Sequence, residues 1–114
     1  MSHALEPPLT PAVFFTLFAL ASGEKHGYAI MQETQTLSDG SFRMGPATLY
    51  TTLQRLLELG LVDEVPGASG ADARRRNYCL ARSGRALLET ELARVESVLR
   101  KARSMRARLG QVRP

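Results

Sequence analysis

The chain holds a single cysteine and only two histidines, and each scarcity removes a class of function. Cys79 cannot close an internal disulfide by itself, which suits a reducing compartment and predicts a cytoplasmic protein. His3, His26 and Cys79 lack the spacing of a metal site, and the chain has neither a Gly-rich phosphate loop nor a converging acid, base and nucleophile. No catalysis, metal or cofactor is therefore expected. Long apolar runs are scarce too: the longest, Ala12 to Ala21, is interrupted by Thr16 and falls well short of the ~20 residues that span a bilayer. Met1 to Thr10 carries only Glu6 as a formal charge, so neither a secretory signal nor a membrane span is expected.

What the chain has in quantity is arginine, placed late. Its 114 residues, 44% of them hydrophobic, suffice for one compact domain. The formal net charge of +4 is unevenly spread: from Arg74 onward the basic residues face only Glu89, Glu91 and Glu96. Such asymmetry favours a polyanionic partner, with solvated helix faces as the plainer alternative.

Thr10-Pro11 opens a first helix carrying Val13, Phe14, Leu17, Phe18 and Leu20, a threonine cap followed by proline being a helix start. A second helical pattern runs from about Gly27 through Tyr28, Ile30 and Met31 to Leu37, and Asp39-Gly40 ends it. Gly45-Pro46 opens a third helix with Leu49, Leu53, Leu56 and Leu57 on one face, closed by Gly60. Leu61 to Val65 and Asn77 to Leu80 read as two strands of a hairpin around the loop Pro66 to Gly70. From about Arg82 to Leu109 the pattern is again helical, and a rod of ~28 residues at 1.5 Å each is too long for this core. Leu88, Leu92, Val95, Leu99 and Ala102 step along it by four and three, widened by Leu87, Val98 and Met105. That seam packs either on the first helix or, as the helix's length favours, on a twofold-related copy.

These elements predict a mainly α fold with a small β-hairpin: a winged helix-turn-helix over residues 9–80, a long C-terminal dimerisation helix over 81–109, and flexible tails at 1–8 and 110–114. On the third helix the inward leucines leave Ala47, Thr48, Thr51, Gln54, Arg55 and Glu58 pointing outward. Small residues let the backbone approach base edges, and threonine, glutamine and arginine read groove donors, acceptors and thymine methyls. The N-terminus around Gly45 to Thr48 offers free N–H groups to a phosphate. Arg74, Arg75 and Arg76, at the base of the loop, suit the sugar-phosphate backbone. A merely wet amphipathic helix and a merely solvated charge run are the alternatives. The expected function is sequence-specific binding of duplex DNA, with a winged-helix protein-interaction module as the rival. Phe14, Phe18, Val95 and Leu99 could line an apolar space for a ligand, ordinary core being the alternative.

Gly45-Pro46-Ala47-Thr48-Leu49-Tyr50, then Leu53, Arg55-Leu56, Gly60-Leu61-Val62, Arg75-Arg76-Asn77-Tyr78 and Gly84, with His26-Gly27-Tyr28 and Ile30 upstream, resemble the PadR family of bacterial transcriptional regulators, in its smaller subfamily with a single short C-terminal helix. The resemblance covers roughly Leu9 to Leu109. It implies a dimeric repressor acting on a pseudo-palindromic operator, often released by a small aromatic or drug-like ligand. It also implies that Tyr50 is the family's recognition-helix tyrosine, that the arginines before Tyr78 are its wing bases, and that His26 and Tyr28 stand where a phosphate contact is made. The chain departs from the family pattern at Ala81, where a threonine cap is usual, which leaves Ser83 as the expected cap. It departs again at Cys79, where an aromatic is common. Cys79 reads as a small core residue, with a redox role left open.

Overall fold

The computed structural model describes residues 5–66 and 76–111. Its elements run α1 (Pro11–Leu20), β1 (Lys25–His26), α2 (Gly27–Leu37), α3 (Pro46–Glu58), β2 (Val62–Pro66), β3 (Arg76–Leu80) and α4 (Arg82–Leu109). Helix α1 starts where the sequence places it because Thr10 accepts the Val13 N–H through its hydroxyl and Pro11 follows. It is apolar nearly all round, as suits a helix that packs against α2, α3 and α4 at once. Asp39 and Gly40 both take the left-handed backbone conformation after α2, and Gly60 does so after α3, ending each helix with the chain turned back over the core.

The core gathers Val13, Leu17 and Leu20 of α1, Ile30 of α2, Leu49, Leu53 and Leu56 of α3, Val62, Tyr78 and Leu88. The leucine face of α3 is therefore inward as expected, and Thr52 joins it, its hydroxyl turned back onto the Thr48 carbonyl at 2.7 Å. The sheet is larger than the expected hairpin. A third strand, β1, pairs antiparallel with β3, giving the order β1-β3-β2, with Lys25 opposite Tyr78 and Glu64 opposite Tyr78 on the other side. Two residues carry too little periodicity to be read as a strand; pairing with β3 is what makes them one.

Helix α4 changes character along its length. Its first turns pack on α1 and β3. Gly84 lies so close to the Leu61 carbonyl that a Cβ would strike it, and the same carbonyl accepts the Ala81 N–H at 3.0 Å. Ala81 is the cap residue and offers no side-chain bond. Ser83 does not replace it: its hydroxyl donates to the Gly60 carbonyl at 2.8 Å, tying α4 to the turn after α3.

Glu91 is 1% exposed. Its carboxylate accepts the Leu9 N–H at 2.8 Å and two Arg94 N–H groups at 2.6 and 3.2 Å. Arg94 above all, together with the Leu9 N–H, holds the Glu91 carboxyl below its usual pKa against the opposing effect of burial. The contact anchors Leu9, the first residue of the expected winged helix, and within the expected tail of residues 1–8 Leu5 also packs against the core. Beyond Leu92 every residue of α4 but Ser97 is exposed. No helix among the described residues is long and apolar enough to cross a membrane.

Candidate nucleic-acid interface

Burying Leu49, Leu53 and Leu56 fixes the rotation of α3, so its opposite side must face outward. Ala47, Thr48, Tyr50, Thr51, Gln54, Arg55 and Glu58 are all exposed. Tyr50, Thr51, Gln54, Arg55 and Glu58 line one open groove, and Ala47, Thr48, Thr51 and Thr52 line a smaller one toward the N-terminus. Gln54 Nε2 donates to Glu58 Oε1 at 3.2 Å. Arg55 makes no ion pair among the described residues.

Strand β1 brings the start of α2 to this face. His26 pairs with Asn77 of β3 and then caps α2, its Nδ1 accepting the Ala29 N–H at 3.3 Å. One ring nitrogen is thus engaged in holding the helix, and the histidine is a structural cap whatever else it touches. Gly27 follows because the Tyr50 hydroxyl lies against it, where a Cβ would collide with the phenol. Tyr50 is nevertheless 50% exposed, and Tyr28 is also exposed. Tyr50 thus lies against the residue between His26 and Tyr28, a contact that sequence spacing does not reveal.

Across the sheet, Arg76 Nε stands 3.6 Å from Glu64 Oε1, both side chains being well exposed. Arg76 shares its charge with a neighbour on β2, a contact worth ~0–1 kcal/mol in solvent. Arg74 and Arg75 lie outside the described residues. Tyr78 is buried, and burial first, with Glu64 adding to it, raises its phenol above the ordinary value. Burial, helped by Asp63 and Glu24, likewise pushes the Cys79 thiol up. A thiol with that shift is a poor thiolate and a poor redox centre.

The expected dimerisation seam divides in two. Leu88 is buried within the chain and Leu92 packs on its core, so Leu88 is not free for a partner. Leu92 is only partly so. Val95, Val98, Leu99, Met105 and Leu109 are exposed, as is Ala102. Of the expected ligand-lining residues, Phe14 and Phe18 are half-buried and pack on each other with ring centroids 5.3 Å apart, whereas Val95 and Leu99 stand on the exposed stretch of α4.

Known proteins resemble this chain in sequence or in fold. A 37.1 kDa protein encoded in a transposon of Streptomyces fradiae is 40% identical over 80 residues, covering 70% of this chain and 21% of its own length, so the chain spans about a fifth of that relative. The crystal structure of a PadR family transcription regulator from Clostridium difficile superposes with a TM-score of 0.71 at 18% identity, over 84% of this chain and 98% of the other. Bacillus subtilis PadR, solved in complex with operator DNA, gives a TM-score of 0.62 at 22% identity, over 70% of this chain and 45% of the other. The model of the Transcriptional regulator PadR-like family matches residues 16–90, which run from the second half of α1 through β3 into the root of α4. With that match and this winged-helix architecture, the chain belongs to the Transcriptional regulator PadR-like family.

Proposed function

We propose that the chain is a cytoplasmic repressor that binds a pseudo-palindromic operator as a homodimer, each copy placing α3 in a major groove. The observation that carries this reading is the sidedness of α3: its leucines are sealed in the core, and its small, polar side is wholly exposed. Thr51, Gln54 and Arg55 read base edges. Ala47 and Thr48 bring the helix N-terminus to a phosphate, His26, Tyr28 and Tyr50 flank it, and Arg74, Arg75 and Arg76 hold the backbone nearby. Val95, Leu99 and Ala102, with Val98 and Met105, form the stripe a second copy covers. A small aromatic compound against Phe14 and Phe18, between α1 and the partner's α4, would supply release from DNA.

Salt dependence tests the central claim. Counterion release makes log affinity for duplex DNA fall against log salt with a slope of about −0.9 per neutralised phosphate. A steep slope together with selection of a palindromic sequence from a random pool is the expected result. A flat response would favour the rival, a winged helix that docks on proteins. For the sensor role, a rise in melting temperature with a planar aromatic compound is expected, and the absence of any shift across such compounds would remove it.

A further inference from the structure

Gln54 and Glu58 stand one helical turn apart on the exposed side of α3, and the glutamine's amide nitrogen faces the glutamate's carboxylate at 3.2 Å. An ionised carboxylate has acceptors and no donor, so only one amide orientation is compatible with it: NH2 toward Glu58, carbonyl oxygen away. The reversed amide would set oxygen against oxygen. In open water the pair is weak and the amide can turn. In a groove from which water is expelled, the mismatch has no solvent to relieve it.

Resting on the reading of α3 as the helix that enters the major groove, we propose that Glu58 is a specificity-determining residue that locks the Gln54 amide, so that this position selects a base presenting an exocyclic N–H. In the major groove those bases are adenine, through N6, and cytosine, through N4. Guanine and thymine present O6 and O4, which would meet the outward carbonyl oxygen and leave the amide at most one bond, from its second hydrogen, beside an oxygen–oxygen clash. Adenine is favoured over cytosine because its N7 accepts a second hydrogen from the same amide, and Nε2 carries two. The charge of Glu58 stays with this task, since Arg55, its neighbour on the same face, forms no ion pair with it among the described residues. Thr51 and Arg55 line the same groove as the pair and read the flanking positions independently.

The test is selection of bound duplexes from a random pool by the full chain, for wild type, Gln54→Ala, Glu58→Gln and Gln54→Ala/Glu58→Gln. Wild type should enrich adenine, with cytosine second, at one column of each half-site. Gln54→Ala should flatten that column and leave the others. Glu58→Gln supplies a partner that can donate as well as accept, so the amide turns freely. The same column should then admit guanine and thymine, its adenine-to-guanine ratio falling by at least about fivefold, the low end for one good base contact. The double variant should match Gln54→Ala alone. Both side chains are exposed, and unchanged melting temperatures would confirm that the fold is intact. A Glu58→Gln profile equal to wild type, or a wild-type column of guanine or thymine that Gln54→Ala erases, would overturn the inference while leaving α3 as reader. A wild type that enriches no sequence would overturn the reading beneath it.

Discussion

Helices α3 and α4 carry apolar stripes with the same spacing and meet opposite fates. On α3, Leu49, Leu53 and Leu56 are sealed beneath α1, α2 and the sheet. On α4, only the root bearing Leu88 is sealed, and Leu99, eleven residues further along the helix by numbering, is 46% exposed. Periodicity reports that a helix has an apolar side. Whether that side is covered depends on length: α3 has 13 residues and fits within the body, whereas α4 has 28 and outruns it. One stripe defines the chain's core, and the other stays at the surface of the folded chain.

The largest expected effect breaks or confirms that contrast directly. Leu53→Ala empties a sealed site and should cost ~2–5 kcal/mol in urea unfolding at any protein concentration. Leu99→Ala should cost the single chain under ~0.5 kcal/mol. If a second copy covers the stripe, the cost of Leu99→Ala should instead appear as weakened association in sedimentation, and stability should fall on dilution. Equal, concentration-independent losses from both substitutions would place both leucines in one core and end the distinction.

Glu91 marks the boundary between the covered and uncovered lengths of α4, and acid probes it. Its carboxyl is held low in the folded chain, so the anion is the form the fold prefers. The stabilisation is therefore complete above the unfolded carboxyl's value near 4.5, shrinks as pH falls through that value, and is lost once the pH passes below the folded value. Urea midpoints below about pH 5 should accordingly fall in wild type with a steeper acid limb than in Glu91→Gln, by a single proton's worth of slope. Identical acid limbs would mean that the Leu9 and Arg94 contacts do not hold α4 to the N-terminal segment.

Most of the helices were legible because their signals are local: Thr10-Pro11 and Gly45-Pro46 at starts, Gly40 and Gly60 at stops, and leucines at helical spacing between them. The outward side of α3 followed from its inward side by elimination. What escaped was made by contacts between segments far apart in sequence. Strand β1 exists because Lys25 and His26 pair with β3. The strap at Leu9 exists because Glu91, 82 positions later, accepts its N–H. Ser83 was expected to cap α4, but the Gly60 carbonyl lies within reach of its hydroxyl. The division of the seam at Leu92 was hidden for the same reason, since the reach of the core along α4 is a property of the packed body and not of the repeat.

The smallest effects concern how α3 and α4 begin. Both lack a side-chain cap, and both cap residues sit in extended backbone, Gly45 at φ −78°, ψ 172° and Ala81 at φ −75°, ψ 168°. The geometry is the one a serine or aspartate cap adopts, so either site accepts one. At Ala81 the vacancy has no evident use, and Ala81→Ser should add about 1 kcal/mol to stability with DNA affinity unchanged. Gly45 has open space around the position of a Cβ, and Gly45→Asp should add a few tenths of a kcal/mol, roughly the margin between those caps. If a phosphate occupies the free N–H groups of Ala47 and Thr48, that same carboxylate would take its place and repel it. DNA affinity should then fall for every sequence alike, with a shallower salt slope, while the folded chain becomes slightly more stable. An aspartate at 45 that stabilises the helix and leaves DNA affinity untouched would mean that α3 meets the duplex by its side alone, without its tip.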